Sequence, residues 1–117
     1  MKSIKELYRI GTGPSSSHTM GPRVAANQFL NNHLDADRFE VVLYGSLAAT
    51  GKGHMTDSAI IDTLQPIAPV KINWEPKIFL PFHPNGMKFL AFNAEEKCTE
   101  EWFVYSVGGG ALAEDND

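Results

Sequence analysis

The chain has 117 residues, 43% of them hydrophobic and 21% charged, with a formal net charge of −4 and a single cysteine; this is one domain, 1–117, with a modest core. One cysteine excludes an internal disulfide, a thiolate zinc cage or an iron–sulfur cluster held by this chain alone, and the negative charge with its acidic ending Glu114-Asp115-Asn116-Asp117 argues against nucleic acid as a partner. No apolar run approaches a membrane span, and Met1-Lys2-Ser3-Ile4-Lys5 lacks the apolar stretch of a signal peptide, so the expected setting is cytoplasmic, with no membrane partner.

In chain order, Ser3 is placed to cap a short helix over 3–9, with Ile4, Leu7 and Tyr8 at helical spacing. Next comes Gly11-Thr12-Gly13-Pro14-Ser15-Ser16-Ser17-His18-Thr19-Met20-Gly21-Pro22, which crowds glycines, hydroxyls and one histidine together. From His18, Val24, Ala25, Phe29, Leu30 and Leu34 recur every three to four positions and predict a helix of about four turns with Pro22 in its first turn. Residues 39–44 predict a buried strand that enters a second loop, Gly45-Ser46-Leu47-Ala48-Ala49-Thr50-Gly51-Lys52-Gly53-His54, before helical spacing returns over 55–64. Beyond Pro66 and Pro69, strands are predicted over 70–74, 77–82, 87–93 and 102–107, with Pro84-Asn85-Gly86 as a hairpin turn and Gly108-Gly109-Gly110 bending the last strand. Helices first and a meander later give an α+β fold: a two-layer sandwich with helices on one face of a mostly antiparallel sheet.

The two loops carry the chemistry. Ser15, Ser16, Ser17 and Thr19, flanked by Gly11, Gly13 and Gly21, resemble a cradle for an oxyanion or carboxylate; the rival reading is that these hydroxyls only cap a helix. His18 and His54 are suited to exchange a proton near neutral pH or to donate to a carboxylate, and a structural role stays open for each. Asp57, three residues after His54, would share its face if the helix begins there and orient the imidazole, or else serve as an early-turn acid favoured by the helix dipole. Lys52 is either an anion-binding cation or a solvated loop charge, and its surroundings do not have P-loop spacing. His33 and His83 read as structural or exposed, and Cys98, among charges, lacks the setting of a nucleophile. No metal ligand set is expected in this chain.

The loops closely resemble the β domain of the bacterial iron–sulfur L-serine dehydratases (L-serine ammonia-lyases), which carry similar Gly-Pro-Ser-Ser-Ser-His-Thr and Gly-Lys-Gly-His-x-Thr-Asp segments. The resemblance extends to His83-Pro84-Asn85-Gly86-Met87 and Tyr105-Ser106-Val107-Gly108-Gly109-Gly110, in the same order; Met55 stands where a smaller residue is expected. It implies a lyase that converts L-serine to pyruvate and ammonia, with a [4Fe-4S] cluster held by a separate α domain or subunit and a β domain similar to the allosteric substrate-binding domain of D-3-phosphoglycerate dehydrogenase. It also implies His18, His54 and Asp57 in a composite active site, Ser15, Ser16, Ser17, Thr19 and Lys52 near the substrate, and a tendency to homo-oligomerise. A competing expectation is a module that binds serine or another small acid and tunes a neighbour without entering the reaction.

Overall fold

Apolar residues alternate along three strands and set one face of a sheet against helices. A computed structural model describes residues 16–50, 56–81, 83–108 and 111–114, without the side chains of Ser16, Ser17, His18 and Thr50. Its elements are α1 (Ser16–Asn32), β1 (Arg38–Tyr44), α2 (Gly45–Thr50), α3 (Thr56–Leu64), β2 (Val70–Glu75), β3 (Gly86–Phe92), β4 (Cys98–Gly108) and β5 (Ala111–Ala113). The strands form one sheet in the order β2-β1-β3-β4-β5. β1 and β2 run parallel, which requires a crossover, here through α2 and α3; every other neighbouring pair is antiparallel. The expected α+β fold with a mostly antiparallel sheet is therefore present.

Register explains the core. Phe39, Val41 and Leu43 on β1 lie opposite Ala91, Phe89 and Met87 on β3, and Phe89 and Met87 lie opposite Trp102 and Val104 on β4. Across the other edge of β1, the same residues face Val70, Ile72 and Trp74. With period two, this row forms one side of the sheet, and Val24, Ala25, Ala26 and Phe29 of α1 and Ile60 and Leu64 of α3 pack in the same cluster. The reverse side carries Glu40, Lys71, Lys88 and Glu101. There Arg38 bridges Glu40 and Glu96 and lies over the Phe92 ring. Its guanidinium is held above its ordinary pKa, first by the Glu40 hydrogen bond and then by that to Glu96.

Four local expectations are corrected. Pro22 lies well inside α1, not in its first turn; tertiary packing of the buried Pro22 and its neighbours outweighs the lost helix hydrogen bond. Gly45–Thr50 is a short helix, not a loop, so β1 passes straight into α2. The expected strand over 77–82 is absent over the described residues 77–81: Ile78 N–H turns back to the Glu75 carbonyl, and Pro76 and Pro81 offer no ladder donor. Pro84-Asn85-Gly86 therefore joins no hairpin, and its hydrogen bonds go to other elements, described below. The expected helix over 3–9 lies outside the described residues.

Candidate functional site

One end of the sheet gathers the carboxyl end of β1, the residues before β3, the carboxyl end of β4 and the first turns of α1. Three glycines allow this approach. A Cβ on Gly21 would stand 1.9 Å from Ser106 Oγ, so α1 meets β4 almost backbone to backbone. A Cβ on Gly45 would meet the Phe79 ring and the Pro84 carbonyl oxygen, each at 2.8 Å, and Gly45 has φ +52°, a conformation that side chains disfavour. A Cβ on Gly86 would meet Leu80 at 2.8 Å and Tyr105 at 3.3 Å. At these three positions the absence of a side chain serves close contact between elements.

Hydrogen bonds fix the same junction. Ser46 N–H donates to the Pro84 carbonyl at 3.1 Å, and Ser106 N–H donates to the Asn85 carbonyl at 3.0 Å. The Asn85 side-chain amide returns a bond to the Ser106 carbonyl at 3.2 Å. Asn85 N–H donates to His83 Nδ1 at 3.0 Å, so Nδ1 is the acceptor nitrogen and the neutral ring carries its proton on Nε2. His83 is thereby held at this junction by its own turn. Among the described residues no buried side-chain nitrogen or oxygen lacks a partner, and the buried Ser106 and Thr56 are the polar side chains of this region that the core encloses.

The sequence-derived site residues fall as follows. Ser16, Ser17 and His18 form the first turn of α1, above the Gly21–Ser106 contact, and Thr19 is partly buried in the same turn. Asp57 is in the first turn of α3 and partly buried, next to the fully buried Thr56. Because α3 leads back to the start of β2, which is parallel to β1, its N-terminus faces the same end of the sheet. Ser15, Lys52 and His54 lie outside the described residues, so the His54–Asp57 pairing is not described. The structure adds His83 and Asn85, which sequence reasoning treated as a structural histidine and a turn. The signal was present in His83-Pro84-Asn85-Gly86, whose Asn-Gly supplies turn chemistry without a second strand to make a hairpin.

Chemically, this end offers a helix N-terminus bearing serines, a hydroxyl-rich turn and an oriented imidazole, which together suit a small carboxylate with a group that gives or takes a proton. It does not suit an iron–sulfur cluster. The chain's one thiol, Cys98, is exposed, and among the described residues no group of three or more His, Cys, Asp or Glu comes together.

The family model for the serine dehydratase beta chain matches residues 3–77 and 67–117. An L-serine dehydratase of Mycobacterium bovis is 38% identical across 94% of this chain and 32% of its own. L-serine dehydratase 1 of Escherichia coli is 31% identical across 98% and 34%, and an L-serine dehydratase of Streptomyces coelicolor is 31% identical across 97% and 34%. The chain thus spans about a third of the length of these relatives. The first two alignments run over 149 and 155 residues although this chain has 117, so both relatives carry several dozen residues without a counterpart here. The two stretches matched by the family model overlap across β2.

Proposed function

This chain belongs to the serine dehydratase beta chain family, and on that premise we propose that it supplies the β half of a cytoplasmic L-serine dehydratase. That enzyme would convert L-serine to pyruvate and ammonia at a site shared with an α half. The observation that carries the reading is convergence: segments far apart in sequence, around Gly21, Gly45, His83 and Ser106, meet at one end of one sheet.

The reaction removes the α-proton and the β-hydroxyl of serine, and the resulting enamine rearranges and hydrolyses to pyruvate and ammonia. It needs donors for the substrate carboxylate, a base for the α-proton and assistance for the departing hydroxide. In this proposal Ser15, together with Ser16, Ser17 and Thr19 at the start of α1, binds the carboxylate, aided by Lys52, and the α1 N-terminus favours its negative charge. His18 and His54 are the proton-handling groups, Asp57 orients His54, and His83, its tautomer set by Asn85 N–H, presents Nε2–H as a further donor. The [4Fe-4S] cluster belongs to the α half, because the donor set of this chain, with one cysteine, does not fit it. The isolated chain is expected to fold and to be inactive.

The test is anaerobic pyruvate formation from L-serine by the cluster-bearing α half with this chain, with its alanine variants, or with no added chain. His54→Ala is expected to lower turnover by more than about a hundredfold if it does acid–base work. Full activity of the α half alone, or unchanged turnover for both His18→Ala and His54→Ala, would remove this chain from the active site.

A further inference from the structure

At the carboxyl end of α1, about 20 Å along the helix from its first-turn serines, the surface is hollowed between α1 and β4. The cavity holds about 230 Å³. That is below the roughly 300–1,000 Å³ of sites for drug-sized ligands, so it fits a molecule of a few carbons. Its position follows from the short edge strand. β5 has three residues and pairs with β4 only between Tyr105 and Gly108, so Trp102 and Glu100 have no further strand on that side among the described residues.

Aromatic rings form the inner wall. His33 lies against Phe29 with 4.4 Å between ring centroids, and Phe29 is parallel to Trp102 within 3°, at 6.2 Å. Glu100 and Glu114 stand on the rim. Trp102 Nε1–H donates to Glu114 Oε2, which fixes the direction of that carboxylate. Asn32 Nδ2 donates to the Gln28 carbonyl at 3.2 Å, so this rim amide commits a donor to the helix itself. The lining contains no Lys or Arg, α1 has no basic residue in its last turn, and neither glutamate forms an ion pair among the described residues. Two carboxylates and the negative end of the α1 dipole therefore meet at a ring-walled hollow.

Each of these features selects among ligands. The rings accept methylene groups and attract a cation near their faces. The carboxylates accept charge-assisted hydrogen bonds from an ammonium group. A carboxylate beside that ammonium, as in an amino acid, would stand against Glu100 and Glu114 and is disfavoured. A bare metal ion does not suit the hollow either, because no group of three or more His, Cys, Asp or Glu comes together among the described residues.

We propose that this cavity binds a small aliphatic amine in its ammonium form, the nitrogen bonded by Glu100 and Glu114 and the carbon chain lying along Trp102 and Phe29. The inference stands apart from the enzymatic reading and does not depend on it. The chain carries its own reporter. Of its two tryptophans, Trp102 lines the cavity and Trp74, on β2, does not, so their indole N–H resonances in NMR separate binding from a general solvent effect. Titrating the 117-residue chain with n-butylammonium chloride is expected to move the Trp102 resonance saturably, with a dissociation constant of about 1–10 mM, and to leave that of Trp74 in place. Sodium chloride, n-butanol and sodium butyrate are each expected to move it at least about tenfold less at equal concentration. Glu100→Gln and Glu114→Gln each remove one charge at constant size and are expected to weaken butylammonium binding at least about threefold, and together at least about tenfold. The glutamine at 114 keeps an oxygen to accept the indole N–H, and Glu100 is exposed, so both variants should keep the wild-type circular dichroism. A Trp102 resonance unmoved up to about 50 mM amine, an equal response to n-butanol or sodium chloride, or an affinity indifferent to both substitutions overturns the proposal.

Discussion

α1 spans the sheet, and its two ends are held by different means. Towards its carboxyl end, Phe29 is 2% exposed and lies against Phe39, Phe89 and Trp102 with ring centroids 5.5–6.2 Å apart; stability there comes from apolar area and ring packing. Towards its start, Gly21 approaches Ser106, and the neighbouring contacts are hydrogen bonds among Ser46, Pro84, Asn85 and Ser106. The first end tolerates no loss of volume. The second tolerates no gain, because its geometry depends on backbones that touch. A site that must hold a small polar molecule is better served by the second arrangement, since hydrogen bonds fix direction where dispersion forces fix only distance.

That contrast can be broken from either side. The largest effect on stability is expected from Phe29→Ala, which empties the centre of the aromatic cluster and should cost about 3–5 kcal/mol in urea unfolding; a loss below about 1.5 kcal/mol would mean that the cluster is not the main support of α1. Gly21→Ala comes next, at roughly 1–3 kcal/mol from overpacking against Ser106 Oγ. Adding Ser106→Ala should recover part of that loss, and no recovery would show that the strain lies elsewhere. Asn85→Ala removes one side-chain hydrogen bond and is expected to cost about 1 kcal/mol. In the assembled enzyme, however, it should lower pyruvate formation at least tenfold, because the His83 turn loses its anchor to β4; equal small losses in both measurements would make Asn85 purely structural. The smallest effect is expected at Leu34, which is 60% exposed: Leu34→Ser should change stability by less than about 0.5 kcal/mol.

The elements that local pattern predicts well are those whose neighbours share the same period. β1 alternates buried and less buried residues from Arg38 to Leu43 and β3 from Met87 to Phe92, so period two is visible in either strand alone. Residues 77–82 show the opposite case. Ile78, Phe79 and Leu80 have strand-like composition, yet no strand offers them a ladder, and Phe79 instead covers Gly45 from a position where it stays exposed. Pro22 reads as a helix-start residue and stands in a helix interior for the same reason: propensity is a weak prior that packing overrides.

The site was half legible. The likeness to one enzyme family followed from residue types and their order in a few short segments, whereas Gly45–Thr50, read as a loop, is a short helix. His83 and Asn85 did not follow. Their roles depend on Ser106, twenty-one residues beyond Asn85, and on Ser46 binding the Pro84 carbonyl. The α+β fold class was legible in composition and periodicity, and the single cysteine limits what the chain can ligate by itself. Which elements Gly21, Gly45 and Gly86 meet and which imidazole nitrogen of His83 is engaged were decided by tertiary contacts, because backbone hydrogen bonds are blind to side-chain identity and only the folded chain selects their partners.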